Sequence, residues 1–273
     1  MFTKTFAPLL LPLLLSLAQW SGASTPRAIV YTSCVVPRTA ALTFDDGPYI
    51  YMTTISDLLT SKGAKGTFFT ETTVGLSQAA SNAESLPDDC IYGSKTVARL
   101  QHAYGQGHQI ASHTWSHPNL DDLNATQITE EFMRIDVALK KILGIQTSFL
   151  RPPYGNYNNQ VREVAYQLNK TLVTWDFDSQ DSLGATPQQS ESYYDQAIAS
   201  SVKTLLALNH ETINTTAETL AGYAIDKLQG AGYTLVTVAE CLELPPYTVV
   251  GTPGQRDETW VCSKKGDKGK RED

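Results

Sequence analysis

Short apolar or β-branched runs alternate along this chain with longer stretches of helical period. Ala40 to Phe44, Gly66 to Phe69, His108 to Ser112, Ser148 to Leu150, Thr171 to Trp175, Lys203 to Leu208 and Thr234 to Val238 read as strands. Between them Ile128, Phe132, Ile135, Leu139 and Ile142 recur at helical spacing and form one apolar face. Asn124 followed by Gln127 predicts a capping box at the start of that helix, and Gly144 predicts its end. Further helices are expected around Ile55, Leu58 and Leu59 before Gly63, over Val161, Val164, Ala165 and Leu168, and over Leu220, Ala224 and Leu228 before Gly230. Strand and helix in alternation argue for βα units rather than a sandwich, and seven strand signals are a barrel-like count. Glu71 to Ser94 has no clear period and reads as a long surface loop, the pattern fades after Pro246, and Ser263 to Asp273 is a charged tail expected to be solvated.

Laid over these elements, the polar residues cluster. Asp45 and Asp46 follow the first strand, His113 the third, Arg151 and Tyr154 the fourth, Asp176, Asp178 and Asp181 the fifth, and His210 the sixth. All are expected at strand C-terminal ends, which share one rim in a parallel βα barrel. His113 and His117 stand four apart in Ser-His-Thr-Trp-Ser-His-Pro, which puts both rings on one side of the chain, although such a pair fits a surface or capping feature as readily. Asp45-Asp46-Gly47-Pro48 has the composition of an ordinary turn. Adjacent residues leaving a strand point in different directions, so one carboxylate can hold a cation while its neighbour faces a water beside it. Two histidines, one aspartate and an open position suit a hydrolytic zinc site. His102 and His108 have no such companions and receive no role.

Composition narrows the class. A net charge of −7 gives no support to a nucleic-acid or anionic-membrane partner and is compatible with a neutral glycan. Residues 1–23, with Lys4, an apolar run to Leu15 and small residues after it, have the layout of a signal peptide and imply export. The remaining chain fits one large domain, taken as 24–245, followed by a C-terminal extension over 246–273. The 4 cysteines of an exported chain suggest two disulfides, for which three pairings exist. Cys34 with Cys241 is favoured because each lies just outside the first or last strong strand signal, which leaves Cys90 for Cys262. The absence of a C-x-x-C pair argues against thiol-bound zinc. Sequons at Asn124, Asn169 and Asn214 are candidate glycosylation sites.

Five blocks occur in order: Thr-Phe-Asp-Asp-Gly-Pro at 43–48, Ser-His-Thr-Trp-Ser-His at 112–117, Arg-Pro-Pro-Tyr-Gly at 151–155, Trp-Asp-Phe-Asp-Ser-Gln-Asp at 175–181 and Leu-Ala-Leu-Asn-His at 206–210. Through them the chain resembles the polysaccharide deacetylases of carbohydrate esterase family 4, and among these the fungal chitin deacetylases. The resemblance covers about residues 30 to 245 and implies a single-domain distorted (β/α) barrel that removes N-acetyl or O-acetyl groups from sugars. It implies Asp46, His113 and His117 as ligands of Zn²⁺, or of Co²⁺ or Mn²⁺, with Asp45 as general base. Arg151 would orient Asp45, His210 would protonate the leaving amine with Asp181 positioning it, and the backbone N–H of Tyr154 would meet the oxyanion. Leu208 would line the acetyl pocket, while Leu206 is expected in the core. The family often has Trp after the aspartate at 181; this chain has Ser182, and Trp115 is one candidate to supply the missing wall. The expected partner is chitin or another acetylated glycan such as O-acetylated xylan, acted on by a secreted, extracellular or cell-wall monomer. An idle glycan-binding homologue is the remaining alternative.

Overall fold

The computed structural model describes residues 25–72 and 90–262. The expected leader and charged tail, and the middle of the segment from Glu71 to Ser94, lie outside the described residues.

Nine strands form one parallel sheet: β1 (Val30–Tyr31), β2 (Thr39–Gly47), β3 (Gly66–Thr70), β4 (Gln109–Ser112), β6 (Phe149–Leu150), β7 (Thr171–Val173), β8 (Phe177–Asp178), β9 (Leu205–His210) and β10 (Thr234–Leu235). The order is β1-β7-β6-β4-β3-β2-β9-β8, with β10 beside the start of β2. The sheet curls into a distorted (β/α) barrel in which β1 and β8 remain edges. A two-stranded antiparallel pair, β5 (Ile145–Thr147) with β11 (Tyr247–Val250), stands beside it.

The pleat of each strand decides what faces where. Ala41, Phe69, Ala111, Phe149, Val173 and Leu206 form the barrel interior. Their alternate neighbours Leu42, Phe44, Phe68, Ile110 and Ala207 pack outward against the helices. These include α1 (Met52–Ser61), α2 (Ser94–Gly105), α3 (Ala125–Leu143), α4 (Asn159–Gln167), α5 (Pro187–Ala199) and α6 (Ala221–Gly230). The floor is closed by the short α7 (Val238–Leu242), whose Val238, Ala239 and Leu242 join the interior cluster.

α3 starts as the sequence predicts: the Gln127 N–H donates to Asn124 Oδ1 at 3.1 Å and the Asn124 N–H to Gln127 Oε1 at 3.0 Å. It ends at Gly144 in the left-handed region, where a Cβ would lie 2.3 Å from the Gly251 carbonyl oxygen. Both favoured disulfides are present, Cys34–Cys241 and Cys90–Cys262.

Two expectations require correction, and one weakly patterned segment gains structure. The last strand stops at Leu235 instead of Val238, because Thr237 and Glu240 form a capping box that opens α7. The segment from Glu71 to Ser94 is not simply a surface loop: Glu71 and Ile91 are fully buried at its described ends, and Ser94 begins α2. After Pro246 the chain remains structured as far as Cys262, through β11 and the buried Trp260. α2, α5 and α7 were not anticipated from periodicity.

Candidate active site

The first half of the site is built by register. β2 and β9 pair with Thr43 opposite Leu208 and Asp45 opposite His210. These four share the pleat parity of interior Ala41 and Leu206, so all point into the barrel, with the charged pair at the C-terminal end. Continued alternation would turn Asp46 outward. Instead its φ is 68° and the β2–β3 register slips between Phe44 and Gly47, so Asp45 and Asp46 line the same pocket.

The second half comes from the loop after β4. His113 Nδ1 lies 2.8 Å from the Arg151 carbonyl, which can only accept, so Nδ1 carries the proton and Nε2 keeps its lone pair. That Nε2 lies 3.4 Å from Asp46 Oδ1, and His117 Nε2 lies 3.4 Å from the same oxygen. Asp46 Oδ1 is buried without a hydrogen-bond partner, an arrangement costly in a neutral protein and natural for a cation ligand. One donor atom from each residue lies within 4.8 Å of the others, so Asp46, His113 and His117 fit a divalent metal by donor type and spacing.

The electrostatics agree. Burial on its own raises the Asp46 carboxyl, but the His113, His210 and His117 rings outweigh it and bring the pKa down to about 2. Burial pulls His113 down, yet Asp45 and Asp46 raise its proton affinity overall; the same negative field draws a metal ion. His117 is pushed down to about 4 by burial and by its His113 neighbour, which keeps its lone pair available.

Arg151, fully buried, ties the two halves together. Its Nη1 donates to Asp45 Oδ1 at 2.8 Å and to Thr43 Oγ1 at 2.5 Å, and its Nη2 donates to the Thr174 carbonyl at 2.8 Å. Asp45 Oδ1 is thereby occupied, and Oδ2 lies 3.8 Å from His113 Nε2 on the ligand side. Across the pocket, His210 Nδ1 is 2.8 Å from Asp181 Oδ1, and the His210 backbone N–H donates to Asp181 Oδ2 at 2.7 Å. Burial opposes charge on His210, but the Asp181 hydrogen bond and charge, with Asp46 and Asp45, push its pKa up to about 9.

Asp45, Asp46, His113, His117, Arg151, Tyr154, Asp181, Leu208 and His210 lie in or directly behind one rim pocket of about 300 Å³; Leu208 and Tyr154 line it. Tyr154 is 62 % exposed, takes φ 60° and sets its ring 4.8 Å from that of His117. Gly155 follows with φ 71°, and a Cβ there would lie 2.9 Å from Trp175. Leu206 is buried in the interior cluster, as expected.

One expectation at the site is overturned, and the choice left open for Trp115, pocket wall or buried scaffold, is decided for scaffold. Asp176 is not on the rim: its Oδ1 accepts the Leu206 N–H at 2.7 Å, near the opposite end of β9 from His210. Trp115 supplies no pocket wall either, being buried under the Arg134 guanidinium 4.0 Å from its ring. Trp175, Ser182 and Leu183 line the pocket instead, and Leu183, 72 % exposed, stands beside the position of the family tryptophan.

Several contributors have no signal in the sequence. Thr216, in the third position of the Asn214 sequon, donates its hydroxyl to Asp181 Oδ2 at 2.7 Å. Glu211 is fully buried behind the Asp45–Asp46 turn, where it accepts the Tyr49 N–H at 2.5 Å, and burial raises its carboxyl well above the usual range. Their partners are distant in sequence, and Thr or Glu is common in loops.

Comparison with known proteins places this geometry. Residues 32–173 match the family model described as polysaccharide deacetylase. A chitin deacetylase of Pestalotiopsis sp is 35 % identical over 224 residues, covering 80 % of this chain and 68 % of the relative. A chitin deacetylase of Arthroderma benhamiae is 33 % identical over 225 residues, covering 81 % of this chain but 56 % of its own length. The solved structure of the chitin deacetylase from Colletotrichum lindemuthianum superposes with a TM-score of 0.70 at 24 % identity, covering 82 % of this chain and 96 % of that one, a likeness of fold.

Proposed function

The chain belongs to the polysaccharide deacetylase family, and from that membership we propose that it hydrolyses N-acetyl groups on the β-1,4-linked N-acetylglucosamine units of chitin or its oligomers, releasing acetate. The observation that carries the reading is the Asp46, His113 and His117 group beside Asp45, facing His210 across one pocket.

A divalent ion held by Asp46, His113 and His117, in our reading Zn²⁺, would act as a Lewis acid that polarises the acetyl carbonyl and acidifies the attacking water. Asp45 takes the water's proton at Oδ2, because Oδ1 is engaged by Arg151. The water oxygen bonds to the carbonyl carbon, and the backbone N–H of Tyr154 stabilises the oxyanion. His210, its Nδ1 tied to Asp181, delivers the Nε2 proton to the amide nitrogen, so the C–N bond breaks to a neutral amine instead of an amide anion. Leu208 and Trp175 offer the acetyl methyl an apolar surface. The leader-like N terminus and two disulfides support export, so the proposed place of action is outside the cell or in its wall.

The test is acetate release from chitin pentamer, and from acetylated xylan in parallel, by metal-loaded protein. Turnover of the chitin oligomer is expected to fall by about 10²–10⁴ in Asp45→Asn. Xylan deacetylation without chitin turnover would move the substrate to an ester, and binding without acetate release from either would leave an idle homologue.

A further inference from the structure

The two ligand histidines bracket a loop under backbone strain. Thr114 and His117 are non-glycine residues in the left-handed region, with φ of 72° and 54°. Such conformations persist only where the surroundings over-determine them. Within the loop, the His117 N–H donates to Thr114 Oγ1 at 3.1 Å. From the segment after β3, the Thr72 N–H donates to the Trp115 carbonyl at 3.0 Å. The N–H groups of Trp115 and Ser116 and the Ser116 hydroxyl turn to α3, where a single side chain receives them. Glu131 Oε2 accepts the Trp115 N–H at 2.9 Å and the Ser116 N–H at 2.8 Å, while Oε1 accepts the Ser116 hydroxyl at 2.7 Å. One turn further along α3, Arg134 stacks on the Trp115 ring.

We infer that Glu131 is a positioning residue for the metal site, clamping two of the three residues between His113 and His117, Trp115 and Ser116, so that both rings stay aimed at one ion. This rests on the reading of Asp46, His113 and His117 as the ligand set. The requirement for Glu is geometric. Three donors converge on one planar group, and a carboxylate presents acceptor lone pairs on both oxygens. Gln can copy the contacts in uncharged, weaker form, its oxygen accepting both backbone N–H groups and its NH₂ donating to the Ser116 hydroxyl, whereas Asp falls short by one methylene and Ala removes the clamp. Without the clamp the strained loop relaxes and the ligand separation is no longer held, the usual route by which outer partners weaken a metal site.

The experiment measures Zn²⁺ affinity by chelator competition on the intact protein, with the melting temperature of the metal-free form recorded alongside. Variants are Glu131→Ala, Ser116→Ala and, as a control on the same helix, Gln127→Ala, which removes a cap contact without touching the loop. Glu131→Ala is expected to weaken Zn²⁺ about 10–100-fold while the metal-free protein still melts cooperatively. Ser116→Ala, which loses one contact, is expected to weaken it less, and Gln127→Ala is expected to leave it unchanged. Wild-type affinity in Glu131→Ala, or an equal loss in Gln127→Ala, overturns the inference. Wild-type protein that fails to bind Zn²⁺ would instead overturn the ligand assignment on which it rests.

Discussion

At the scale of single residues, the His210–Asp181 pair sets the most direct pH dependence. An acid catalyst works only while protonated, and His210 is held near pKa 9 by Asp181 against the opposing effect of burial. kcat is therefore expected to be level through neutral pH and to fall as pH rises past about 9. Asp181→Asn removes the charge that raises this pKa, so the basic limb should move down toward the ordinary histidine value of about 6.5. A pH–rate profile of the two proteins checks this; a limb that stays in place would exclude His210 as the proton donor. Thr216→Val, which deletes the hydroxyl on Asp181 Oδ2, should lower kcat while leaving the melting temperature nearly unchanged.

At the scale of elements, α3 organises the molecule. One face packs Ile128, Phe132, Ile135, Leu139 and Ile142 into the core, and a neighbouring face carries Glu131 to the ligand loop. A third contact anchors the helix to the sheet: Asp136 pairs with buried Lys170 at 2.6 Å, and Asp136 Oδ1 also accepts the Thr147 hydroxyl at 2.9 Å. Removing one partner strands the other charge, so Lys170→Met should destabilise the fold by about 3–5 kcal/mol, measured by urea unfolding. Asn124→Ala, which removes only the cap, should cost about 1 kcal/mol. If the two changes cost the same, the buried pair is not an anchor.

At the scale of the whole molecule, a buried histidine outside the site should contribute to the loss of stability in acid, alongside His117 within it. His108 is buried with Nδ1 accepting the Gly66 N–H at 3.3 Å and Nε2 lying 3.0 Å from the Ser56 carbonyl, so it is held neutral. Burial is the main cause that lowers its pKa to about 4. Between about pH 6.5 and pH 4 the unfolded chain binds a proton at this residue and the folded chain does not, so stability falls as pH falls across that window. His108→Gln should lessen the pH dependence of the melting temperature there. The disulfides act at the same scale. Cys34–Cys241 joins positions 207 residues apart, and its replacement by serines should cost about 2–4 kcal/mol, seen as a lower melting temperature.

The sequence by itself determined the class of fold, the strands that carry the site, the α3 capping box and the set of polar residues. These features are written in local periods and short motifs, which depend on neighbours in the chain. Only the tertiary structure decided that Asp46 breaks the β2 alternation and turns beside Asp45, that Trp115 is covered by Arg134, and that Asp176 lies away from the rim. It alone revealed Glu131 and Thr216, whose roles are hydrogen bonds to residues distant in the chain. A polar residue on a helix or in a loop has the same local signature whether it faces water or receives a distant donor, and only packing distinguishes the two.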